Sequence, residues 1–316
     1  MMRSMAAVVV DWADRVALDL LRRLLPAWLL GPVIGIVKRC LRWASGAGGE
    51  IERIAVRPAP AHRRMADLEA AMHRSRVVRP ILLAMRAGDD VQAVAKRICA
   101  AKHIRAAALV SSAIAECLQA MQAMARLEQD LQSARRTPYD PADASHEALL
   151  NKLWKLLRPG VILQGRITSQ WGEIGFQGDD PATDFRGNGL LGLANLVAFA
   201  ESYPRLAQHL CDLYGRDATK FPSFCICGIN LTSDALDLVV NRQCNQYLYA
   251  RGGPSTATFA DLYAALWYVF HQTWLDERPD SVMRFKAVHD VFLDRARRRL
   301  RSHAMPTPLQ LHSYNP

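Results

Sequence analysis

Residues 171–196 read WGEIGFQGDDPATDFRGNGLLGLANL, and they gather the side chains of this sequence that have the means to do chemistry. One arginine, Arg186, stands among acidic, amide and aromatic residues, with Gly187 and Gly189 just after it. Glycine lets a backbone turn tightly and lets another molecule come close. An arginine on such a turn can be offered outward as a rigid, charged fork. On spacing alone two readings stand side by side. Arg186 is either presented to a partner or locked to Asp184 or Asp180 inside the fold.

Other chemistries are missing from the sequence. There is no GxxxxGK[ST] loop, so the phosphate cradle of a P-loop enzyme is excluded. GNGLLG at 187–192 has the glycines of a dinucleotide fingerprint, but no strand precedes it. Neither GxSxG nor HExxH occurs. Asp179, Asp180 and Asp184 lack the alternation and closing Glu of a calcium loop. The seven cysteines (Cys40, Cys99, Cys117, Cys211, Cys225, Cys227 and Cys244) are odd in number and lie in apolar surroundings. They read as reduced, buried thiols of an intracellular protein. Cys225 and Cys227 have no further ligand pair at zinc spacing and read as core. His146 or His271 can serve acid–base chemistry, although a lone helical histidine is more often structural. No metal site and no cofactor are expected.

The elements that must position Arg186 read as helices, and the fold class as all-α. Residues 64–135 are poor in Gly and Pro, and Asp89-Asp90 can cap a helix start within them. TPYDPADAS at 137–145 is a boundary, where Asp140 suits an N-cap, Pro141 the first helical position and Asp143 the first turn. The helix after it carries Leu149, Leu150, Leu153, Trp154 and Leu157 on one face. Residues 190–213 read as one or two helices broken near Ser202-Tyr203-Pro204, and 223–250 as a long apolar helix. A turn at Arg251–Pro254 leads to an aromatic-rich helix from Thr258 to Leu275. Asp280 or Ser281 starts a last helix that ends in a basic run at Arg295–Arg301.

Charge is placed unevenly. Residues 1–137 hold 22 Lys and Arg against 12 Asp and Glu, while residues 138–316 hold 18 against 18. A basic front half suggests an anionic surface. Nucleic acid is not expected, because no zinc finger or RNA-binding signature accompanies the charge. Leu24–Val37 carries no charge and is framed by Arg22, Arg23, Lys38, Arg39 and Arg42. Its fourteen residues fall short of the roughly 20 that span a bilayer. It reads as an interfacial membrane helix, in contact through residues 15–43 with an anionic surface, as a helix packed on the main domain, or as a short anchor across a thinned bilayer. The organisation expected is a segment 1–43, a Gly/Ala/Pro-rich linker 44–62, a helical domain 63–305 and a frayed tail 306–316.

Trp171, Gly175-Phe176-Gln177, Asp180-Pro181, Thr183-Asp184, Arg186-Gly187, Gly189, Leu191 and Asn195-Leu196 together resemble the signature of the ELMO domain, W-x3-GFQ-x2-DP-x-TD-x-RG-x-G-x-L-x3-NL. HEALLNKLWKLLRP at 146–159 and CGINLTSDALDLV at 227–239 look like the single-domain branch of that family, the ELMO domain-containing proteins. The resemblance covers about residues 65–300, with its core at 146–300. It implies a single ELMO-type helical domain with an N-terminal apolar and basic extension. It also implies activation of GTP hydrolysis on Arf-family or Arf-like small GTPases in their GTP-bound form, with Arg186 as the arginine finger and no nucleotide hydrolysis by the chain itself. The setting would be the cytoplasm, peripheral to an organelle membrane. On this reading Gly187 and Gly189 permit close approach, Asp180 and Asp184 orient the guanidinium or cap turns, and Gln177, Thr183 and Asn195 tie the loop to its scaffold. Trp171 and Phe176 anchor it in the core. The alternatives are a non-catalytic ELMO-type scaffold module, or a membrane tether for a GTPase.

Overall fold

Capping side chains and apolar spacing account for most helix starts in a computed structural model of the chain, which describes residues 48–314 apart from 87, 105 and 106, together with Pro26 and Val33. The segment 1–43, with its membrane-contact reading and Cys40, otherwise lies outside the described residues. All regular structure among the described residues is helical. The chain divides into two compact units, one running to Met121 and one starting at Gln122.

The first unit holds α1 (Glu50–Val56), α2 (Ala61–Arg74), α3 (Arg79–Ala84), α4 (Val91–Ala101) and the start of α5 (Ala107–Arg136). Helix α1 replaces part of the expected linker, because Ile51 and Ala55 are buried and α1 packs along α2, with Glu50 paired to Arg74. Asp90 caps α4, accepting from the Gln92 amide at 2.9 Å. The core of this unit runs through Leu68, Met72, Val94, Ile98, Ile114 and Leu118.

The second unit holds the rest of α5, then α6 (Ala144–Leu157), α7 (Gly189–Ser202), α8 (Pro204–Arg216), α9 (Phe224–Val240), α10 (Asn245–Tyr249), α11 (Thr256–Glu277), α12 (Phe285–Arg301) and α13 (Pro308–His312). Helix α7 is apolar on nearly every face and packs against α6, α8, α9 and α11, so it is the central element. Gly228 of α9 lets helices meet closely there. A Cβ at that position would stand 2.5 Å from Leu196 and 2.7 Å from the Tyr263 hydroxyl.

Three boundaries differ from the sequence reading. Asp143, not Asp140, caps α6, accepting from Ser145 N at 2.8 Å, while Asp140 closes a turn on Ala142 N. The apolar run 223–250 breaks after Val240, where Arg242 adopts φ 57°, a left-handed helix stop. The described part of the tail, to residue 314, is folded rather than frayed. Thr307 and Gln310 form a capping box, Leu311 is buried, and the His312 ring lies 4.6 Å from that of Tyr203.

The six described cysteines are free and buried, Cys225 and Cys227 among them, as core residues of α9. Burial pushes all six thiols above their ordinary pKa. None of the six is therefore expected to take up iodoacetamide at pH 8 in the folded chain, whereas denatured chain alkylates throughout. Peptide mass spectrometry reads the outcome.

Candidate functional site

Two short 3-10 helices, Ser169–Ile174 and Pro181–Gly187, carry the segment that holds Arg186. Each begins on a capping side chain, Thr168 accepting from Gln170 N and Asp180 from Ala182 N. A row of buried rings fixes them from below. Trp154 meets Trp171 at 5.6 Å, Trp171 meets Phe176 at 5.9 Å and Phe176 meets Phe185 at 5.5 Å, all edge to face. Each such pair contributes about 0.5–1.5 kcal/mol beyond its burial. The indole of Trp171 donates to the Arg166 carbonyl at 3.0 Å, so the ring that anchors the segment also holds the preceding loop. Gly175, at φ 88°, brings the segment against the start of α9. A Cβ there would stand 2.4 Å from Phe224 N.

The helix bearing Arg186 is clamped along its length. At its start Asp180 receives Arg166 Nη1 at 2.8 Å, and Arg166 also pairs with Glu147 and lies 5.6 Å from the Tyr139 ring centroid. Partial burial pushes the Asp180 carboxyl up, but the Ala182 amide and the Arg166 guanidinium outweigh it and hold it below the usual carboxylate range. Thr183 Oγ1 donates to the Asp180 carbonyl at 3.1 Å. In the middle, Asp184 accepts from the Gln177 amide at 2.8 Å. Burial raises the Asp184 carboxyl, while that amide and the nearby charge of Arg186 pull it part of the way back. At the end, Arg135 Nε donates to the Gly187 carbonyl at 3.3 Å and Leu190 N to the Thr137 carbonyl at 2.9 Å. Buried Asn188 closes the clamp, donating to the Ile229 carbonyl at 2.7 Å and accepting from Ser233 at 3.0 Å.

Arg186 itself is exposed, and no described residue hydrogen-bonds or ion-pairs with its guanidinium. Neither aspartate locks it, since Asp180 is engaged by Arg166 and Asp184 by the Gln177 amide. The two glycines do different things. Gly187 is exposed, with open space around its α-carbon. Gly189 is buried at φ 50°, and a Cβ there would stand 2.3 Å from the Thr137 carbonyl and 2.4 Å from that of Arg135. Its close approach is to the chain's own backbone. Asn195 lies away from the turn, joining α7 to α9 through a 3.2 Å bond to Thr232. Gln177 contributes its amide and leaves its side chain exposed.

The ELMO/CED-12 family model matches residues 129–289, half of the chain, and these include every residue of the clamp. The chain belongs to the ELMO/CED-12 family. It is 41% identical over 181 residues to ELMO domain-containing protein 2 of Mus musculus, covering 57% of this chain and 61% of that protein. With the Homo sapiens protein of the same name the identity is 42% over 178 residues, covering 56% and 60%. With ELMO domain-containing protein 1 of Mus musculus it is 38% over 204 residues, covering 59% and 63%. The chain thus matches about three fifths of the length of these ELMO relatives. Within this ELMO domain the sequence reading passed over Arg166, Glu147, Tyr139, Arg135 and Asn188. Only Arg166 offered a signal, as the one charged residue of the loop between Pro159 and Ser169.

The two candidate histidines are placed differently, His146 with its ring 5.8 Å from that of Tyr139 and His271 in the core. His146 Nδ1 accepts from the Asp140 amide at 3.0 Å. His271 is 1% exposed inside α11, and its Nδ1 has no hydrogen-bond partner. Burial, with a smaller contribution from His209, depresses the His271 pKa from 6.5 to about 4. The folded chain therefore keeps the ring neutral where the unfolded chain binds a proton, and stability present above pH 6.5 is lost as pH falls toward 4. The expected loss is roughly 3 kcal/mol over that window. Urea unfolding at pH 7.5, 5.5 and 4.5 measures it, and His271→Phe should flatten the dependence. Among the described residues no helix is long and apolar enough to cross a membrane, and no group of three His, Cys, Asp or Glu is placed to hold a metal.

Proposed function

We propose that this ELMO-domain chain stimulates GTP hydrolysis by an Arf-family small GTPase, supplying Arg186 in trans as an arginine finger. The observation that carries the reading is an exposed arginine with no hydrogen-bond or ion-pair partner among the described residues, on a turn whose backbone is held at its start, middle and end. During phosphoryl transfer negative charge spreads over the transferring group, and a guanidinium brought from outside stabilises it, by roughly 10³–10⁵ in rate. The GTPase brings nucleotide, Mg²⁺ and the water-orienting group, so the activator needs little besides the arginine and a surface. A clamped backbone suits the task, because the pre-set geometry leaves only side-chain freedom to be lost on insertion. Residues 15–43, apolar with basic rims, are proposed to meet the anionic membrane surface on which such a GTPase is engaged.

Single-turnover GTP hydrolysis by a panel of Arf-family GTPases, with and without the full chain, tests the proposal. Acceleration of at least one member is expected. A flat response across the panel would remove the catalytic reading and leave that of a binding module.

A further inference from the structure

The loop between α6 and the first 3-10 helix exposes large aliphatic side chains, with Ile162 at 86%, Ile167 at 69% and Val161 at 45%. It is not a slack loop. The Val161 carbonyl accepts from the Trp154 indole at 2.8 Å, and that of Ile162 from Gln170 at 3.3 Å. Gln164 N donates to Gln170 at 2.7 Å, and the Arg166 carbonyl accepts from the Trp171 indole. Two buried tryptophans thus hold the backbone in place, which prevents the loop from collapsing to hide its apolar side chains. Beside it lies a cleft of about 670 Å³, lined by Ala148, Asn151, Trp154, Lys155, Ile162 and Leu163 among others. Loop and cleft carry no acidic residue.

The same loop is fastened to the helix that bears Arg186. Thr168 N donates to the Asp179 carbonyl at 3.0 Å, and Arg166 reaches Asp180, the cap of that helix. Counting along this path, Ile167 lies at most about 25 Å from Arg186. A standard docking patch of about 800 Å² per partner is about 30 Å across, so a partner whose footprint holds Arg186 toward one edge reaches Ile167 toward the other. A finger can enter a partner's nucleotide site only if the surface around the finger meets that partner. In small GTPases the segments beside the γ-phosphate are ordered while GTP is bound and released on hydrolysis.

We infer that Val161, Ile162 and Ile167 form an apolar docking edge that seats on the γ-phosphate-ordered segments of the GTPase and so reads its GTP-bound state. The inference rests on the proposed function for the choice of partner, but it concerns binding, where Arg186 concerns rate. An aliphatic side chain this exposed has nearly all of its apolar surface left to bury on a partner, worth roughly a tenfold change in affinity or more for each of Ile162 and Ile167. A carboxylate placed there instead would be desolvated without a partner.

The test uses the full chain with Ile162→Asp, Ile167→Asp and the double substitution, against the GTPase most stimulated in the panel. Both positions are exposed, so circular dichroism and melting should match the wild type. The half-saturating concentration should rise about tenfold for each substitution, with the saturating rate unchanged. In the Arg186→Ala background, binding to GTPase loaded with a non-hydrolysable GTP analogue should weaken by the same factors and lose its preference over the GDP form. If stimulation occurs but the double substitution leaves half-saturation unmoved, the docking edge is wrong and the finger stands. If no GTPase is stimulated, direct binding to the analogue-loaded panel decides. Binding lost in the double substitution upholds the edge without catalysis, and no binding by the wild type overturns it.

Discussion

Replacing Arg186 with lysine is expected to remove nearly all stimulation of GTP hydrolysis, a loss of roughly 10³-fold or more at saturating activator. Lysine retains a positive charge, so a role limited to long-range attraction would survive the change. What it lacks is the planar fork that donates to two oxygens at once, and its charge is a compact, strongly hydrated point that is costly to desolvate. Because Arg186 is exposed and makes no hydrogen bond or ion pair among the described residues, neither Arg186→Lys nor Arg186→Ala should alter the melting temperature by more than about a degree. Lost rate with retained stability is therefore the expected signature, read by single-turnover hydrolysis beside thermal unfolding. Undiminished stimulation by a folded Arg186→Ala chain would sink the finger assignment.

The second large effect is on folding, three residues further on. Gly189→Ala should destabilise the chain by several kcal/mol, a fall in melting temperature on the order of 10 °C, because two costs add. The residue sits at φ 50°, where a side chain is strained by about 1 kcal/mol. Its new Cβ would also press on the carbonyls of Thr137 and Arg135, backbone atoms that move only if the end of α5 moves. Gly187→Ala is the control. Nothing stands near the added methyl and φ is not positive, so stability should change by no more than about 0.5 kcal/mol. Equal melting temperatures for the two variants would show that Gly189 is not packed as described.

The contrast between these glycines marks the limit of what spacing tells. Both sit beside Arg186 in an RGxG pattern, and both read as places where a partner can come close. Gly189 is instead decided by carbonyls more than fifty residues earlier in the chain, which no local pattern announces. Asp180 is a similar case. Near Arg186 in sequence, it is paired to Arg166, because a 3-10 helix cap points back toward the incoming chain. The helix starts at Asp90 and Pro204 were legible, since a cap or a first-turn proline acts within its own helix. The start at Asp143 was misplaced by three residues because Asp140, also a good cap, closes a separate turn.

By itself the sequence determined the class of fold, the burial of Trp171, Phe176 and the described cysteines, and the position of Arg186 beside Gly187 and Gly189. These follow from the local chemistry of side chains, in apolar periodicity, capping and turn formation. Only the tertiary structure decided that Arg186 is exposed, with no hydrogen bond or ion pair among the described residues, while Asp180 and Asp184 take other partners, and that the loop 161–167 is held open with its aliphatic side chains outward. The reason is physical. A charged group takes the partner that packing brings within about 4 Å, and in this fold packing joins Arg166, Glu147 and Asp180 across gaps of 14 to 19 residues.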